Sequence, residues 1–159
     1  MANAKTKEFE IYVDTTADAT ADNTQLDLTD YVDIADNQAF EIHEIDIVLN
    51  PDETFPTADT ECIFQLADSN IQSFVPHSDR TSLYVSRQTF GVADLVMSEQ
   101  TSFSSITPLI VSKTLFLRNL QSAGTPASHD FTLRMKGRIV TPSAKDYMAL
   151  VLTQTGNVA

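Results

Sequence analysis

Short runs with an apolar residue at every second position recur along this chain, and that period is the strongest constraint on its fold. In a β-strand successive side chains point to opposite faces, so each such run buries one face and wets the other. "EFEIYVD" sets Phe9, Ile11 and Val13 against Glu8, Glu10 and Asp14. "QLDLTDYVDI" sets Leu26, Leu28, Val32 and Ile34 against Asp27 and Asp33. "CIFQLA" and "LYVSRQTF" also read as strands. In "DFTLRMKGRIV", Phe131, Leu133, Met135 and Ile139 share an inner face with Gly137. A glycine there predicts a bulge or a close backbone approach. "QAFEIHEIDIVLN" changes phase, from Phe40 and Ile42 to Ile45, Ile47 and Leu49. That switch near His43 and Glu44 predicts a β-bulge, or a strand passing from one sheet to the next.

Between these runs, "TTADATADNT", "PDETFPTADTE", "DSNIQSFVPHSDRTS", "SEQTSFSSITP" and "QSAGTPASH" read as loops. "VADLVM" is a further strand candidate, and "LIVSKTLFLRNL" holds one strand, Thr114 to Leu120. Helical spacing enters only in the last segment. There Thr141 is placed as N-cap, Pro142 at the first helical position, and Ala144, Tyr147, Leu150 and Val151 on one face. A final strand over "MALVLTQ" is the alternative. The pattern predicts an all-β chain, an antiparallel two-sheet sandwich with a short C-terminal helix. Its long loops favour a jelly roll over an immunoglobulin-like sandwich. Residues 1–159 are expected to form a single domain, with a flexible N-terminal arm at 1–6 and a flexible tail at 153–159.

Hydrophobic residues are 42% of the chain, too many for a disordered one. No apolar run approaches the ~20 residues of a membrane helix, and the N-terminus lacks the apolar core of a signal peptide. Cys62 is the lone cysteine, set among apolar neighbours as a small core residue. Folding in a cytoplasm is the expectation.

Charge is divided unevenly. Residues 1–79 hold eighteen of the twenty-two acids and two bases, a net of −16, whereas residues 80–159 carry +4. Arg134, Lys136 and Arg138 fall at alternate positions and so on one strand face. Beside a nucleic acid facing it, three readings are open for this stripe. It can be a solvated face that guards against edge pairing. It can pair in-chain with acidic strands, through Glu8, Glu10 or Glu41. It can meet an acidic patch on a neighbouring copy, and on this reading Arg134, Lys136, Arg138 and Arg118 are the candidate subunit-interface residues. Nucleic acid is not an expected partner for a chain of net charge −12.

No Gly-x-Ser-x-Gly, phosphate-binding loop or dinucleotide fingerprint occurs. Ser, His and Asp are adjacent in "PHSDR", but a triad needs side chains that converge from different elements. His43, His77 and His129 lack zinc spacing with Cys62. Asp14, Asp18 and Asp22 lack the calcium-loop pattern, and Asp52, Glu53, Asp59 and Glu61 read as a solvated acidic loop. Neither a catalytic residue, a metal, a cofactor nor a small-molecule substrate is expected.

From "EFEIYVD" to "FTLRMKGRIV", and through the tail "TPSAKDYMALVLTQTGNVA", the chain resembles small virion structural proteins of the single-jelly-roll kind found in bacterial and archaeal virus shells. The resemblance is one of patterning across most of the chain and includes no diagnostic motif. It implies a non-enzymatic protein that self-associates, folded in a host cytoplasm and resident in a virion, with its own copies and other virion proteins as partners. A decoration protein or tail component fits the same pattern. The alternative is a soluble β-sandwich module that binds carbohydrate or protein. Absence of tryptophan and four scattered tyrosines weigh against a sugar platform. A cupin-type enzyme is a third reading, without the close His/Glu set such sites use.

Overall fold

Among the described residues the chain forms ten strands. The structure is a computed structural model that describes residues 3–33, 35–51, 56–93, 96–103, 109–111, 114–122 and 128–149. The strands are β1 (Asn3–Ala4), β2 (Phe9–Ala17), β3 (Asp22–Leu26), β4 (Ala39–Leu49), β5 (Thr60–Ala67), β6 (Ser82–Gly91), β7 (Val96–Phe103), β8 (Leu109–Val111), β9 (Leu115–Gln121) and β10 (His129–Thr141). All pairings are antiparallel. The first sheet runs β2-β10-β4-β8, with β1 on the same edge of β10 beyond the end of β2. The second runs β3-β9-β5-β6-β7.

With β1 and β7 set aside, the first of eight strands pairs the last (β2 with β10), the second the seventh (β3 with β9), the third the sixth (β4 with β8) and the fourth the fifth (β5 with β6). This is a long antiparallel ribbon wound into two sheets, the pairing of a jelly roll. β7 is an addition beside β6.

The core lies between the sheets. Ile11, Phe40, Ile42, Ile47, Leu133 and Met135 from one sheet meet Cys62, Phe64, Leu66, Phe90, Leu115 and Leu117 from the other, all nearly inaccessible to water. Phe131 joins them, its ring 4.7 Å from Phe64 and 6.4 Å from Phe90. Burial pushes the Cys62 thiol up to about 12, so it is an inert core group.

Several expectations need correction. "TTADATADNT" is mostly strand: β2 continues to Ala17 and β3 begins at Asp22, because Thr15 and Thr24 satisfy each other's hydroxyls at 2.8 Å. "QLDLTDYVDI" is not one strand. The Asp27 carboxylate accepts the Thr29 N–H at 2.9 Å and starts a 3-10 turn at Leu28–Asp30, which still buries Leu28 and Val32. Ile34 lies outside the described residues. "SEQTSF" is the body of β7, and "LIVSKTLFLRNL" contributes two strands, β8 and β9. Thr141 ends β10 instead of capping a helix. The cap is Ser143, whose Oγ accepts the Asp146 N–H (3.2 Å) and donates to its carboxylate (2.7 Å), opening a helix over 144–149. Tyr147 is buried on it and Ala144 is exposed; Leu150, Val151 and the expected tail lie outside the described residues. Within the expected N-terminal arm, β1 pairs with Val140 and Thr141, and the Lys5 N–H donates to Ile139 O at 2.8 Å.

Candidate functional site

β10 runs between β2 and β4, so its outward side chains stand between two acidic strands. The register sets Arg134 opposite Tyr12 and Asp46, Lys136 opposite Glu10 and Glu44, and Arg138 opposite Glu41. Each cation of the stripe is partnered within the chain. Arg134 grips Asp46 with two parallel bonds, Nε at 3.1 Å and an Nη at 2.6 Å. The Lys136 ammonium lies 3.2 Å from Glu8. The Arg138 Nε donates to Glu41 Oε1 at 2.9 Å. The Tyr12 hydroxyl donates to Glu10, which raises the phenol.

The phase switch in β4 is a bulge. Lys136 pairs with Glu44 and Gly137 with Ile42, so His43 is the extra residue. The bulge turns both His43 and Glu44 outward and lets Ile45 resume the core face. His43 Nδ1 then lies 2.5 Å from Glu8 and Nε2 lies 2.7 Å from Glu41. A ring with a carboxylate at each nitrogen can donate to both only as imidazolium. The bonds to Glu41 and then Glu8 accordingly raise the histidine, while His43 and then Lys136 lower Glu8.

The bridge makes stability depend on pH at both ends. The raised histidine contributes stability in full below its ordinary value of 6.5, and loses it as pH rises through the raised value. Glu8, being lowered, contributes above its ordinary 4.5 and loses that contribution as pH falls through the lowered value. Melting curves across pH should therefore show wild type losing stability on the alkaline side of 6.5, and His43→Gln should lack that loss. Burial of the partners ranks the cations of the stripe. The Glu41 side chain is 7% exposed, against 40% for Glu8. Arg138→Met should cost about 2 kcal/mol in chemical denaturation, because it strips a charged hydrogen bond from a buried carboxylate. Lys136→Met should leave the midpoint nearly unchanged, since exposed pairs contribute little.

Arg118 stands apart from the stripe. It is on β9 in the second sheet, where it donates to Asn23 at 3.2 Å and Ile71 O at 3.5 Å and lies over the Phe74 ring at 5.6 Å. Its visible work is to hold the loop before β6 against the sheet. Asp46 and the bridging position of His43 were not legible from the sequence, although the shift of parity in β4 does turn Asp46 outward.

Of the acidic groups weighed for cations, Asp52 and Glu53 lie outside the described residues. Asp59 accepts the Val92 N–H at 2.9 Å and Glu61 lies 3.4 Å from Arg87. Asp14 and Asp22 share a cleft of about 380 Å³ with Asp130 and Asn50, whereas the Asp18 carboxylate accepts the Thr20 N–H. Among the described residues no three His, Cys, Asp or Glu side chains are grouped to hold a metal ion. None of the described helices is long and apolar enough to cross a membrane. No protein-family model matches this chain, and neither a curated protein nor a solved structure matches it.

Proposed function

We propose that the protein is a non-enzymatic structural protein that self-assembles, serving as a coat or decoration component of a virion. The observation that carries this reading is the jelly-roll pairing of the eight principal strands, an architecture used by viral capsid domains as well as by lectins and cupins. Two further features favour a building block over a binding site. The three cations on the outer face of the first sheet are occupied with ion pairs of the same chain. The second sheet ends in an edge strand whose residues 96–101 are exposed on both faces. On this reading the chain folds in a host cytoplasm and its partners are further copies of itself and other virion proteins.

Size-exclusion chromatography with light scattering tests the proposal. The expected species is a discrete assembly many times the 17.5 kDa chain mass. A clean monomer that binds glycans would replace this reading with that of a soluble binding module.

A further inference from the structure

Among the outer strands of the sandwich, β7 is the longest that carries a single charge. β2 carries Glu10 and Asp14, and the five-residue β3 carries Asp22. β7 is eight residues long, "VMSEQTSF", without proline, glycine, lysine or arginine, and with Glu99 as its one charge. The Glu99 carboxylate is drawn toward β6, where it accepts the Ser86 hydroxyl at 3.2 Å. Residues 96–101 are exposed whichever face they take, with Val96 55% and Met97 50% accessible. β7 is the fifth column of its sheet, while the facing sheet has four, and its outer edge pairs with no strand among the described residues. A long, weakly charged edge is a template for another strand.

We propose that this edge pairs with β7 of a second copy, antiparallel about a twofold axis, joining two five-stranded sheets into one. The inference rests on the self-assembly reading and names its contact. A twofold axis normal to the sheet keeps each side chain on its own face, so opposed residues share parity. The two longest registers within Val96–Phe103 place the axis at Glu99 or at Gln100. The first sets two carboxylates face to face, which is destabilising. The second sets Glu99 opposite Thr101 of the partner subunit and Gln100 opposite its own copy, with no like charges meeting. The strand is thus complementary to itself in the Gln100 register.

Cysteine cross-linking tests this directly, because buried Cys62 does not compete. Gln100→Cys, oxidised in air with copper phenanthroline, should give a covalent dimer in high yield, since directly opposed residues have Cα atoms within disulfide reach. Ser98→Cys should not, because its copy lies four residues along the strand, about 13 Å away. Gln100→Lys should shift the assembly at least tenfold in concentration toward smaller species while keeping the β-rich circular dichroism of wild type. If wild type assembles, but Gln100→Cys does not link and Gln100→Lys leaves the assembly intact, the β7 contact is overturned and the self-assembly reading stands. If Ser98→Cys links and Gln100→Cys does not, the register is overturned. If wild type is monomeric at every concentration and Gln100→Cys does not link, both are overturned.

Discussion

Replacing Gly137 with alanine should lower the unfolding free energy by about 3 kcal/mol, among the larger costs of adding one methyl group. A Cβ at this position would lie 2.1 Å from the carbonyl oxygen of Glu41 and 2.9 Å from Cζ of Phe40. The first of these neighbours is backbone of the adjacent strand, so it cannot swing aside. The bulge at His43 brings β4 this close to β10, and the absence of a side chain at Gly137 permits it. For a domain of this size the expected fall in melting temperature is about 6–12 °C. Thermal unfolding followed by circular dichroism measures it. The same change should loosen the bridge of His43 to Glu41 and Glu8, so the variant should also show a weaker alkaline loss of stability than wild type.

Phe131→Ala should cost about 4 kcal/mol, the scale of emptying a fully buried aromatic site. Phe131 is wholly inaccessible, and it is the β10 side chain that reaches Phe64 on β5 and Phe90 on β6 in the facing sheet. Its loss removes contacts between sheets and leaves the strand ladders unchanged. The variant should unfold at markedly lower denaturant, with the slope against denaturant preserved if folding stays two-state. Gly137 and Phe131 therefore probe different parts of the sandwich: one the fit of neighbouring strands, the other the packing of sheet on sheet.

The strands legible in the sequence are those that the sandwich covers on one face. β10 is readable because burial demands Phe131, Leu133 and Met135 on one side and solvent admits Arg134, Lys136 and Arg138 on the other. The bulge in β4 is readable because an extra residue shifts the parity of every apolar side chain after it. β7 was hidden for the converse reason: residues 96–101 are exposed on either face, so no burial alternation is imposed on them. The start of β3 and the end of β2 were hidden because their inner positions use Thr15 and Thr24, joined to each other and, through Thr15, to Asn119, in place of apolar side chains.

The charge ladder was half legible. Three cations at alternate positions had to share a face, and Glu8 and Glu41 were nameable as in-chain partners. What local sequence could not supply was the neighbour order, with β10 between β2 and β4. That order sets cations of the basic half against carboxylates of the acidic half. Both neighbours of the cationic strand come from the acidic half, and the sheet joins them. Reversal of the stripe to Arg134→Glu, Lys136→Glu and Arg138→Glu should then disturb folding of one copy before it disturbs contacts between copies.

On the proposed reading, with the three cations of the stripe paired inside each copy, backbone pairing and apolar contact are the forces proposed between copies, and these are not screened by salt as exposed ion pairs are. Sedimentation velocity of the wild-type protein at low and at moderate salt tests the account most directly. It predicts one fast boundary, many times heavier than the 17.5 kDa chain, at both salt concentrations. A single boundary at the mass of one chain under both conditions would contradict it.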